Sequence, residues 1–166
     1  ESKFDIILPG DLIHCDFGIS YLTLNTDTQE LGYILKPGET KAPEYLINAL
    51  KEGNRVQDIF TNNFVVGVSG NEILKKSLEE GRDEGLRPSI YTHPLGTYGH
   101  SAGTTIGMWD SQGGVPFTGD YPLQYNTAYA IELNTTVYIE EWKKDIRIML
   151  EVPGFFGKDG FRYIKG

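Results

Sequence analysis

Carboxylates placed inside β-prone, otherwise apolar sequence constrain this chain more than any other feature. The stretch CDFGISYLTLNTDTQ, residues 15–29, carries Asp16 and Asp27, eleven positions apart, as its only charges. Glu132 interrupts the apolar run AYAIELN, and Glu151 interrupts IRIMLEV. A carboxylate buried without a partner is costly, so these segments must expose their acids, pair them, or gather them around positive charge. If residues 11–20 and 23–31 form a hairpin with Tyr21-Leu22 at its tip, Asp16 pairs with Asp27 on one sheet face, with Cβ atoms about 4.5–5.5 Å apart. Like charges so placed are destabilising unless neutralised, and a divalent cation would neutralise them. The alternative is that Asp27 caps a turn and Asp16 ends a strand in solvent. Tyr-Leu lacks the Gly or Asn that a two-residue turn prefers. Glu151 also has an alternative, an ion pair with Arg147.

The rest of the chain reads as an α+β domain spanning residues 1–166. Residues 43 to about 60 have helical spacing, with Leu46, Ala49, Leu50 and Val56 able to share a face and Pro43 in the first turn. Gly53 and Asn54 weaken its middle. A second helix opens on a capping box, Ser69 with Glu72, and stops at Gly85. Residues 86–127 read as one long loop, and a long loop inside a compact domain is usually functional or disordered. Three strands follow, in AYAIELNTTVYI, DIRIMLEV and GFRYIKG. Cys15 is the single cysteine, so no disulfide forms within the chain. It alternates to the face opposite Asp16 and is expected to be a small core residue. The formal net charge is −8 and the chain shows no basic patch, which argues against nucleic-acid and anionic-membrane partners. No stretch approaches the apolar length of a membrane span.

Two histidines lie in the long loop, within HPLGTYGHSAG: His93, and His100 with a glycine before it and small residues after it. Two aspartates, a histidine and two glutamates form an oxygen-rich donor set without the thiolates of structural zinc sites. Such sets suit Mn, Mg, Co or Fe, and bridging carboxylates suit two metals about 3.5–4 Å apart.

In order, PGDLIHCDFG, NTDT, HPLGTYGHSAG, AIELN and IRIMLE resemble the pita-bread metallopeptidases: aminopeptidase P, proline dipeptidase and methionine aminopeptidase. The likeness is greatest to the Xaa-Pro branch. The resemblance implies a curved antiparallel sheet with helices on its outer face. It implies hydrolysis of Xaa-Pro peptide bonds near the amino terminus of short peptides, through a hydroxide bridging two divalent metals, with Mn expected and Co, Zn or Fe as alternatives. Carried over, Asp16 holds one metal, Asp27 bridges both, His100 binds the other, and Glu132 and Glu151 complete the site. Glu132 is also the implied proton shuttle. His93 is the implied substrate-contacting and catalytic histidine, and Trp109 a candidate for the specificity pocket.

Three departures from the family pattern stand out. Met149, not the last glutamate, follows Arg147-Ile148. Position 107, seven after His100, is Gly where relatives often carry a second histidine. The helices and strand that normally precede the first aspartate are missing. The chain therefore reads as an N-terminally incomplete catalytic domain, poorly active alone. A pita-bread peptide- or protein-binding module without catalysis is the alternative. A metal-free relative resembling creatinase is disfavoured, since all five ligand types are present. A short proline-containing peptide is the expected partner, a homodimer is left open, and a cytoplasmic location is favoured over a secreted or periplasmic one.

Overall fold

A computed structural model describes residues 6–164. In chain order the elements are β1 (Leu12–Phe17), β2 (Ser20–Tyr21), β3 (Leu24–Asn25), β4 (Thr28–Tyr33), α1 (Glu44–Asn62), α2 (Gly70–Asp83), β5 (Pro88–Ile90), β6 (His93–Pro94), β7 (Thr127–Ile139), β8 (Lys144–Gly157) and β9 (Gly160–Tyr163). A short 3-10 turn, Glu140–Trp142, joins β7 to β8. The main sheet is antiparallel in the order β1-β4-β8-β7-β5, with β6 also on β7 and β9 on β8. β2 and β3 form a separate ribbon.

The helices cover one face of the sheet. Leu46, Ala49, Val56, Ile59 and Phe60 of α1 are buried, at the i, i+3, i+4 spacing that makes one helix face apolar. Of these, Val56 and Phe60 meet Ile131 and Leu133 of β7, together with Ile73, Leu74 and Leu78 of α2, in the main core, while Ala49 packs with Ile139 and Ile148 in a second, smaller cluster. Gly53 has a packing reason: a Cβ there would lie 2.9 Å from both Ile148 and Leu150 of β8. Its helix-propensity cost, about 1 kcal/mol against Ala, is the condition for α1 to approach β8 closely. α2 starts at the expected capping box, Ser69 Oγ accepting from Glu72 N and Glu72 Oε2 accepting from Ser69 N. It ends just before Gly85, whose φ of +81° turns the chain away. Since Ile131 and Leu133 point to the helices, the pleat sends Glu132 to the opposite face.

Several expectations change. The Asp16–Asp27 hairpin is a broken one: β1 pairs with β4 as Asp16↔Gln29, and β2 with β3 as Tyr21↔Leu24. The tip is Leu22-Thr23, both at positive φ (48° and 68°), as a type I′ turn requires. Asp16 and Asp27 are therefore not direct partners. The slip is two residues, so the face each occupies is preserved. Pro43 sits at the N-cap, one residue outside the helix. The long loop contains β5 and β6, both too short for periodicity to show. Cys15 is exposed rather than buried, because β1 is an edge strand whose residues from His14 onward lie open. Among the described residues no helix is long and apolar enough to cross a membrane.

Candidate metal centre

The sheet register builds the site. Asp16 on β1 pairs with Gln29 on β4, Gln29 with Glu151 on β8, and Glu151 with Glu132 on β7. One row across four neighbouring strands thus carries three carboxylates and an amide. Directly paired residues share a face, so all four converge. Asp27 lies just before β4 and joins the row at its foot, grouped with Asp16 and Glu151. His93 reaches the cluster from β6, paired to Ala130 of β7.

His93 is the pivot. Its side chain is 3% exposed, and its Nε2 lies 3.9 Å from Asp27 Oδ2, 3.8 Å from Glu132 Oε2 and 3.8 Å from Glu151 Oε1. These are not ion pairs. Burial, then the neighbouring His100, hold the imidazole well below its usual value, at about 4, so the ring is neutral at physiological pH. Its Nδ1 lies 3.3 Å from the Pro94 carbonyl, a contact that places the proton on Nδ1. Nε2 then presents a lone pair, buried and without a hydrogen-bond partner, to three carboxylate oxygens that are themselves acceptors. Buried acceptors without a complement are costly, and divalent cations held among these atoms would supply one.

The carboxylates carry the same signature. Burial pushes Glu132 up to about 7 and Glu151 up to about 8, with Glu132, Asp27 and Asp16 adding repulsion at Glu151. Asp27 is raised by burial and then by Asp16. Arg147 is exposed while Glu151 is buried, and no ion pair joins them. Three overlapping groups have ligand atoms close enough to share an ion: Asp27, His93 and His100; His93, Glu132 and Glu151; and Asp16, Asp27 and Glu151. The donor set fits divalent cations, and it offers more donors than one tetrahedral ion uses.

His100 stands differently. Its side chain is 60% exposed and its Nε2 is 3.9 Å from Asp27 Oδ2. Its ring lies 4.0 Å from that of His93, centroid to centroid, and its Nδ1 is 3.1 Å from the Tyr91 hydroxyl. Tyr91 in turn makes an edge contact with Trp109 at 5.7 Å, so Trp109 lines the rim rather than the cluster. Gly107, at φ +71°, is buried against Ile90, and a Cβ there would collide with the Ile90 carbonyl. No side chain fits at that position.

Polar residues outside the acidic and histidine set complete the arrangement. Thr92 Oγ1 accepts from the Glu132 N–H at 3.1 Å and donates to the Glu132 carbonyl at 3.0 Å, fixing β7 at that residue. Gln29 donates to the Glu132 carboxylate. Asn25 ties the β2–β3 ribbon to the His93–His100 loop, donating to the carbonyls of Gly96 and Thr97.

No protein-family profile and no curated protein sequence matches the chain. Solved structures do. The X-Pro aminopeptidase of Thermotoga maritima superposes with a TM-score of 0.65 at 20% identity, over 93% of this chain and 39% of that one. A recombinant prolidase from Thermococcus sibiricus gives 0.69 at 14% identity, over 99% and 40%. The methionine aminopeptidase of Rickettsia prowazekii gives 0.66 at 14% identity, over 93% and 64%. The fold is that of the pita-bread peptidases. The chain spans about 40% of the length of the first two of these proteins. Within this part of the pita-bread fold, the acidic row and His93 lie together on the sheet face away from the helices.

Proposed function

We propose that the chain is the metal-binding part of an exopeptidase that hydrolyses Xaa-Pro bonds in short peptides. Asp16, Asp27, His93, Glu132 and Glu151 would hold two divalent cations, Mn expected and Co, Zn or Fe as alternatives. The observation that carries this reading is the unpartnered, buried Nε2 of His93 facing Asp27, Glu132 and Glu151. On this reading the ligand role passes from His100 to His93. His100 then stands seven residues after the ligand histidine, where the family pattern often has its second histidine, and Gly107 ceases to be a departure.

When bound, such cations polarise a scissile carbonyl and acidify water. The chain's own groups supply the rest. With Tyr91 donating to Nδ1 of His100, the ring proton would sit on Nε2, 3.9 Å from Asp27 Oδ2 at the rim, as a candidate donor for a developing oxyanion. Glu132 is also the group that would take the nucleophile's proton and return it to the leaving amine. Tyr91 and Trp109 form an apolar wall suited to a proline ring. The acidic row repels a substrate carboxylate and attracts a free amino terminus.

The test is hydrolysis by the full-length protein, loaded with Mn(II), of Xaa-Pro peptides against Xaa-Ala controls. Turnover of the proline substrates, reduced at least about 100-fold in Asp27→Ala, is the expected result. Equal inactivity of metal-loaded wild type and Asp27→Ala on every peptide would leave a binding module instead.

A further inference from the structure

We infer that Gln29 is a positioning residue, which commits one oxygen of Glu132 to a hydrogen bond and leaves the other as the single site-facing donor. The inference rests on the metal-centre reading above. Gln29 is 3% exposed and lies on β4, directly beside Glu151 in the cross-strand row. Neighbouring strands are about 4.8 Å apart, so β7 lies roughly twice that distance from β4. The long side chain of Gln29 crosses β8 to place its Nε2 2.6 Å from Glu132 Oε1. Its Oε1 is 3.0 Å from His14 Nε2 on β1. Both ends of the amide are therefore in use inside the cluster.

The direction of that amide follows from its neighbours. An ionised Glu132 accepts only, so the NH₂ group must face it and the carbonyl must face His14, whose Nε2 then carries the proton. Glu132 and Glu151 are direct partners of like charge, and carboxylates so placed tend to rotate apart. Held at Oε1, Glu132 keeps Oε2 turned to His93 Nε2, 3.8 Å away. A two-oxygen ligand becomes one oxygen of defined position. Groups behind metal ligands act in this way, and losing them typically costs about 10–100-fold in affinity or activity.

A packing residue would serve as well if it were apolar and of the same length, and Gln29→Met is that control. In the full-length protein, Mn(II) affinity by calorimetry should fall about 10–100-fold in Gln29→Met. The absorption bands of the Co(II) form should shift, and kcat should fall with KM unchanged, because the rim residues are untouched. The thermal midpoint of the metal-free protein should stay within a few degrees. Should Gln29→Met not fold, His14→Phe probes the same chain from its exposed end. Freed to turn, the amide should then hold Glu132 less well, and Mn(II) binding should weaken in the same direction but less. Gln29→Met, or in its place His14→Phe, with wild-type Mn(II) affinity and an unchanged Co(II) spectrum would overturn the positioning role alone. So would a metal-free midpoint that drops by as much as the metal-loaded one. A wild type that binds no Mn(II) would overturn the metal centre and the positioning role together.

Discussion

At the scale of single residues, the two loop histidines differ in burial. His93 is enclosed by three carboxylates, and His100 stands at the rim with its Nδ1 held by Tyr91. His100→Ala is accordingly expected to keep the metal content of the wild type while losing turnover by roughly 10²–10³, the usual cost of one oxyanion donor. Loss of metal from that variant, measured by elemental analysis, would return the ligand role to His100. Glu132 and Glu151 are legible in the sequence because each places a charge where a strand should be apolar. The choice between His93 and His100 is not legible. β6 is two residues long, so no alternation distinguishes its inward side from a loop. Gln29 and Tyr91 escape notice for a related reason. Each sits two residues from a proposed ligand, but an uncharged polar residue raises no alarm by itself.

At the scale of elements, the pairing of β7 with β8 sets the electrostatics. Glu132 opposite Glu151 places two buried carboxylates side by side. In the metal-free chain they titrate near 7 and 8 rather than 4.5. The folded state therefore keeps protons that the unfolded chain has released, and the stability they allow, full below about 4.5, is lost as pH rises through 7 and 8. His93 works the other way. Its value falls from 6.5 to about 4, so its contribution rises with pH between 4 and 6.5 and is flat above. From pH 6.5 to 8 the His93 contribution is flat and the glutamates act. The thermal midpoint of the chelator-treated protein is predicted to fall by several degrees over that window, and to recover when Mn(II) is added at pH 8. A midpoint that rises over the same window would show that the two glutamates are already compensated by the protein. Alternation makes the inward face of each glutamate readable, but not that they are opposite one another, which depends on the turn at Glu140–Trp142. The β1–β4 register shows the same limit. A tip at Leu22-Thr23 has none of the glycine or asparagine that signals a type I′ turn, so spacing places it one residue early and slips the pairing by two.

At the scale of the whole molecule, strand order does what the linear sequence cannot. β1 and β8 are separated by more than a hundred residues, yet only β4 lies between them in the sheet. The outermost carboxylates, Asp16 and Glu151, thereby share one cluster. The helices are the most legible part, because capping chemistry and 3.6-residue spacing are local. The path of the 95–126 segment is the least legible, because loops are fixed by contacts such as Asn25 with Gly96 and Thr97. A net charge of −8 favours cations over anions around the whole surface, in keeping with a centre built from carboxylates. His93 and the four carboxylates are proposed to form a divalent-cation site. Calorimetric titration of Mn(II) into the metal-free full-length protein at neutral pH tests it most directly. Close to two ions per chain should bind, with binding weakened or one ion lost in His93→Ala. Wild-type protein that takes up no Mn(II), Co(II) or Zn(II) would contradict it.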